Sequence, residues 1–390
     1  MNLLDRLPLL LDPIPDFHAA GLPAGVENEL WLAEHPDNTK NLLKEFLQAG
    51  AQVLSAPTAA ANRFCLAACD ITGLNRSLIE LARSAAEPGT PVCGVVGPSG
   101  LFVPPHGESD FDDIYDGYRE QIRALAKAGA DFLILDSLQS LSDLRAALLA
   151  ARTTSLPVIA LISTDSSGHT MTGGRFLPIL ITLQAMGADA VGLSCPANPE
   201  LAKQFIQAQQ HTAVPFAVRL ETGNLSPKDL AETALVFLQA GVRILGAGIG
   251  AGPEHVRALA QTMQKFGSPE LPEEPDCDAA AIEQEAFFLG DDIILSEPIR
   301  CTSSLEDDLI DLDDEQVTAA LVDITSMDDA VLLGEVSGMT RLPIAVHADN
   351  PTILDAALRY FQGRLIIDSN CQIDRDILEP LAAKYGAIIY

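Results

Sequence analysis

The sequence predicts an α/β chain: a (β/α)8 TIM barrel followed by a partial second β/α domain. Three observations carry this. First, a local pattern recurs, as AGAQVL from Ala49, AGADFL from Ala128, MGADAV from Met186, AGVRIL from Ala240 and YGAIIY from Tyr385. In each, a helical stretch ends and Gly supplies the left-handed turn that closes a helix. An apolar run follows that reads as a buried parallel strand. Second, eight such runs alternate with helical patterns over roughly 250 residues, the size of one barrel. Third, no GxGxxG follows the first strand, which argues against an open doubly wound sheet.

The eight strands are expected at residues 9–12, 52–56, 92–97, 132–136, 158–163, 190–195, 216–220 and 243–247. Helical periodicity covers 38–49, 115–128, 140–151 and 227–240, the last opened by Ser226 as N-cap and Pro227 in the first turn. The pattern breaks over residues 268–315, which hold 17 Asp or Glu and one basic residue, Arg300. SPELPEEPDCD reads as a solvated linker, and the acids of LDDEQV suit a helix start. Neither the spacing nor the Gly of an EF-hand is present. Strand candidates resume at 293–296, 319–324, 344–347, 365–368 and 387–390. The expected organisation is therefore a barrel over 1–266, an acidic linker over 267–285 and a partial β/α domain over 286–390.

The chain has 390 residues, 48% of them apolar, and a net charge of −30. A field of that sign disfavours nucleic acid, anionic membranes and polyanionic cofactors. Seven scattered cysteines without a CxxC pair suggest a reducing compartment. The N-terminal apolar run is too short for a signal peptide and no run has the length of a membrane span, so a cytoplasmic location is expected.

Barrel chemistry sits at the strand C-terminal ends. These ends carry Asp12, Thr58, Gly97-Pro98, Asp136-Ser137, Ser163-Thr164, Ser194-Cys195, Glu221 and the glycine-rich Gly246 to Gly250. No His stands among them, which argues against a Ser/His or Cys/His nucleophile pair.

These motifs resemble the homocysteine S-methyltransferase family, including the homocysteine domain of cobalamin-dependent methionine synthase. AGAQVLSAPTAAAN is similar to that family's AGADIIxTNTFxAN, and VVGPSG to its GPxG. ADFLILDSLQSLSDLRAAL is similar to ADLLLLETxxDLxEAKAAL, MGADAVGLSC to GADAVGxNC, and GAGIGAGPEHVRAL to GGCCGTTPEHIRAL. From their place at the strand ends, substrate contacts are expected at Asp12, Thr58, Asp136, Ser137, Ser194, Cys195 and Glu221, of which the resemblance implies the Asp136-Ser137 pair. It also implies a zinc ion held by three cysteines, which would activate a substrate thiol. Here only Cys195 stands at a ligand position, and Gly248 and Ile249 occupy the other two. No cofactor is expected. DGAMGT has become Asp12-Pro13-Ile14-Pro15-Asp16-Phe17, and the Glu-Thr pair for the substrate amino group has become Asp136-Ser137.

The C-terminal part resembles the pterin-binding barrel that follows the homocysteine domain, with His347 or Asp349, and Asp368, at the pterin-contact positions. It stops after five strands, so folate binding by this chain alone is not expected. Its open edge should pack on the barrel or pair with another chain, in a homodimer or with a protein partner. Three readings stand: a thiol methyltransferase, a non-catalytic paralogue that binds a small thiol or amino-acid-like ligand or a partner, and a zinc-free enzyme using Asp136 and Glu221 as acid and base.

Overall fold

Eight parallel strands curl into a ring: β1 (Leu9–Leu10), β2 (Leu54–Ala56), β3 (Val92–Val96), β4 (Phe132–Leu138), β5 (Val158–Ser163), β6 (Ala190–Pro196), β7 (Phe216–Glu221) and β8 (Val242–Ala247). The computed structural model describes residues 6–14, 21–23, 26–266, 272–290, 293–312, 317–336, 338 and 341–390. Ladders run in the order β1-β8-β7-β6-β5-β4-β3-β2. Between the two ends, β1 and β2, the seam is stitched by fewer bonds. The Gln52 amide donates to Leu10 O at 3.0 Å, and Leu10 N–H donates to the Gln52 side chain at 2.7 Å. The ladder part of β1 is accordingly two residues long rather than the four expected.

The recurring Gly motif explains the register. Gly50, Gly129, Gly187, Gly241 and Gly386 all have positive φ, as a helix-ending turn requires. Where Asp follows, it pins the strand next door. Asp131 accepts from Val92 N–H at 2.7 Å and Asp189 from Val158 N–H at 2.8 Å. Gln52 does the same for β1.

The helices are α1 (Asn28–Glu34), α2 (Pro36–Ala49), α3 (Ile71–Ala85), α4 (Phe111–Lys127), α5 (Leu141–Ala151), α6 (Phe176–Ala185), α7 (Ala202–Ala208), α8 (Pro227–Gln239) and α9 (Pro253–Phe266). Ser226 caps α8 through Asp229 N–H, with Pro227 in the first turn. Alternation along the strands divides the core in two. Leu9, Leu11, Val53, Cys93, Phe132, Ile134, Leu161 and Ile244 fill the barrel interior. Leu54, Leu133, Leu135, Val191, Leu193 and Leu245 face the helices.

Beyond α9 come β9 (Ala279–Ile282), β10 (Ala286–Phe288), β11 (Ile299–Arg300), α10 (Leu305–Asp311), β12 (Ala320–Asp323), α11 (Met327–Val336), β13 (Ile344–His347), α12 (Pro351–Tyr360), β14 (Gly363–Arg364), β15 (Ile366–Ile367), α13 (Arg375–Tyr385) and β16 (Ile388–Ile389). Five of these strands form a parallel sheet in the order β11-β12-β13-β15-β16. Three others form an antiparallel sheet, β10-β9-β14. The structure corrects one strand: residues 293–296 make only a bridge, Leu295 to Ala319, and the ladder starts at Ile299. Residues 279–282 of the acidic stretch are strand β9, buried against α6. Part of that stretch, 267–271, lies outside the described residues, as do 313–316 of LDDEQV. The described acid-rich helix start nearby is α10, with Glu306, Asp307 and Asp308 in its first turn.

The second sheet packs on the barrel. Helix α5 is buried along its whole length, and its Arg145 donates to Leu358 O at 2.7 Å and Arg359 O at 3.0 Å. Glu283, just after β9, accepts from Leu141 N–H at 3.1 Å. Strand β16 lies at one edge of its sheet, paired to β15, with Tyr390 anchored to Ile293 O at 3.0 Å through its hydroxyl. Among the described residues, no helix is long and apolar enough to cross a membrane.

Candidate ligand site at the barrel mouth

The strand C-terminal ends enclose a cavity of about 430 Å³. Its polar lining comes from Asn28 and Glu29 on α1, Ser55 and Thr58 around β2, Asp136 and Ser137 on β4, and Arg219 on β7. Pro13, Ile14, Pro57, Pro98 and Ile249 supply apolar wall.

Asp12, at the end of β1, is fully buried and is held by Ser55. The Ser55 N–H donates at 2.8 Å and its hydroxyl at 2.6 Å. Burial outweighs these bonds and pushes the carboxyl up to about 6. On β4 the register slips between Leu135 and Leu138, and Ser137 sits at φ +61°, a left-handed conformation unusual for a residue with a side chain. This bend presents Asp136 and Ser137 together to the cavity. Ser137 Oγ donates to Asp136 Oδ1 at 3.1 Å and lies 2.9 Å from Ser194 Oγ.

Arg219 faces this pair from β7, 1% exposed. Its Nε lies 2.7 Å from Asp136 Oδ2, an ion pair off the line of a hydrogen bond. Its Nη1 donates to Asp12 O at 2.9 Å and Ala247 O at 3.0 Å. Arg219 and Ser55 were not among the sequence candidates. The signal was present: in FAVRLE, Arg occupies an interior position of an otherwise apolar strand, where an unpaired charge cannot be tolerated.

The other candidates are placed differently. Thr58 lines the cavity, but its hydroxyl donates to Val95 O at 2.7 Å and accepts from Val95 N–H at 3.0 Å, which braces β2 against β3. Ser194 reaches the site through Ser137. Cys195 has the opposite parity and packs in the apolar layer between strands and helices. Burial, with a contribution from the Glu221 carboxylate, pushes its thiol up to about 12. Glu221 is exposed and does not line the cavity, so the cavity does not unite it with Asp136. Gly248 donates to Leu220 O at 2.7 Å; a Cβ there would stand 3.0 Å from Glu221 Cα. Ile249 is 65% exposed. Of the former DGAMGT segment, Pro15, Asp16 and Phe17 lie outside the described residues. Among the described residues, no three His, Cys, Asp or Glu side chains gather as a metal site.

The profile of the homocysteine S-methyltransferase family matches residues 12–263. The chain belongs to the homocysteine S-methyltransferase family. It is 25% identical to methionine synthase of Mycobacterium tuberculosis over 413 aligned positions, which cover 93% of this chain and 35% of that protein. The Mycobacterium leprae methionine synthase is 24% identical with the same coverage. The chain thus spans about a third of these relatives' length. Among solved structures, the metallated homocysteine methyltransferase MmuM of Escherichia coli superposes with a TM-score of 0.57 at 24% identity. That match covers 66% of this chain and 98% of MmuM, and shows the shared barrel fold.

The buried carboxyls give a pH expectation for this family member. Asp143, like Asp12, is pushed up to about 6 by burial, although Ser99 and Tyr118 donate to it. Both groups release their protons near 3.8 when unfolded. Between about pH 4 and pH 6 the folded state therefore binds more protons, and stability falls as pH rises through that window. Two such groups should remove on the order of 5 kcal/mol across it. Asp12→Asn should roughly halve the slope of urea midpoint against pH. A wild-type profile flat over this range would show that the two groups titrate normally.

Proposed function

We propose that this barrel binds a small thiol- or amino-acid-like ligand at its mouth and does not carry out zinc-dependent methyl transfer to homocysteine. The observation that carries this is the state of the three thiolate positions. Zinc takes four ligands from deprotonated thiols, neutral imidazoles or carboxylates. Gly248 and Ile249 offer no such side chain. Cys195 is turned into the apolar layer, and its raised pKa opposes the thiolate that a metal requires. The residues present do not fit a zinc ion. The cavity itself, lined by buried Asp136 and Arg219 with Asp12 behind Ser55, supports a retained binding role.

The protein purified after growth in zinc should hold substoichiometric zinc by elemental analysis after dialysis. Homocysteine methylation from methionine derivatives or methyl-folate should be undetectable. The double substitution Gly248→Cys with Ile249→Cys should not build a site, because a side chain at 248 crowds the β7 backbone and Cys195 faces away. One zinc per chain in the wild type, together with metal-dependent turnover, would overturn the proposal. A thermal-shift screen with homocysteine and methionine tests the binding role directly.

A further inference from the structure

Arg219 is more than the partner of Asp136. A guanidinium has three corners that donate hydrogen bonds. Two are engaged here: Nε lies against Asp136, and Nη1 holds the carbonyls of Asp12 and Ala247. The third, Nη2, has no hydrogen bond among the described residues, in a side chain that is 1% exposed and lines the cavity. Unlike Nε, it is not among the buried unpartnered atoms, so at the cavity wall it is a charged donor for which a ligand can supply the acceptor. The two held corners fix the guanidinium in place, so the third is preorganised. Room for the head group comes from Gly246, the β8 register partner of Arg219, where a Cβ would stand 3.5 Å from Nη1.

We propose that Nη2 of Arg219 forms a carboxylate-binding subsite on the floor of the cavity, so that the ligand seats acid group first. This rests on reading the cavity as a ligand site. The charge balance ranks the anions. Asp136 already neutralises Arg219, and Asp12 and the lining Glu29 add further carboxyls, so a dianionic phosphate would meet more repulsion than a singly charged carboxylate. A singly charged planar carboxylate needs only the one free corner, since the Ser137 hydroxyl in the same wall already donates to Asp136. The apolar wall of Pro13, Ile14, Pro57 and Pro98 would take an aliphatic stem.

The test uses the full chain and matched probe pairs: 4-mercaptobutyrate against 4-mercaptobutyramide, and L-methionine against L-methioninamide, by titration calorimetry. The acid of each pair should bind about tenfold more tightly or better, the worth of one charge-assisted bond. Arg219→Lys, which keeps the charge and loses the third corner, should bring the ratio toward one. The comparison on wild-type protein stands even if the variant folds poorly. Acids and amides that bind equally would overturn the subsite and leave the ligand reading intact. Sulfur- and amine-free butyrate binding as tightly as either acid would keep the subsite and remove the thiol or amino-acid reading. Binding by no member of either pair would overturn both.

Discussion

Replacing Arg219 by Met is expected to destabilise the protein by about 3–5 kcal/mol at pH 7, since it strands the Asp136 charge in the barrel interior. Asp136 is 3% exposed, and beyond Arg219 its side chain has, among the described residues, only the Ser137 hydroxyl. The loss is not a measure of what the pair contributes. Desolvating both ions costs several kcal/mol each, which their attraction offsets only in good geometry. The double variant Arg219→Met with Asp136→Leu should therefore recover most of the loss. It also removes the floor of the cavity, so a recovered fold should come without ligand binding. Urea midpoints of the wild type, the two single variants and the double variant form the cycle. A single variant within about 1 kcal/mol of wild type would mean that water reaches Asp136 and that the pair is not sealed.

The same pair shows what was legible in the sequence. Strand and helix order could be read because each αβ turn repeats one chemical solution, a left-handed Gly followed by a residue that pins the preceding strand, as Asp131 and Asp189 do. Asp12, Asp136 and Ser137 could be placed because they end apolar runs. Three features escaped. Arg219 lies inside a strand rather than at its end, and its partner is over eighty residues away, so only the three-dimensional ring brings them together. Cys195 ends a strand, but its outward facing follows from the parity of β6, which depends on which neighbour faces the barrel axis. Thr58 is a cavity residue whose hydroxyl is consumed by Val95, and no spacing rule announces that. Positions along the axis follow from the order of apolar runs; the facing and the partner needed the closed ring. In the C-terminal part, the misplaced strand at 293–296 has a similar origin. Its apolar run is real, and Ile293 and Leu295 pack among interior residues of the second sheet, but only one bridge forms there.

Arg145→Met should loosen the second sheet from the barrel and cost about 2–4 kcal/mol. A helix buried on every side must be covered on every side, and α5 is such a helix: Ala146, Ala147, Leu148, Ala150 and Ala151 are all fully buried, and its polar Asp143 and Arg145 are buried too. One side meets the barrel strands; the outer side is closed by the residues after β9. Arg145 is the single cation on this helix, 0% exposed, and its counterpart is not a carboxylate. It donates to Leu358 O and Arg359 O, carbonyls in the last turn of α12 that have no partner within the helix. The negative end of the helix dipole thus stands in for an anion. Burial pulls the guanidinium down to about 10, still charged at neutral pH. Methionine fills much of the volume but leaves the two carbonyls without donors. Amide exchange should therefore quicken in α12, residues 351–360, while α8 on the barrel keeps its protection. Equal loss of protection in both helices would mean that Arg145 serves the whole fold rather than this junction, and no change in either would mean that the carbonyls find other donors.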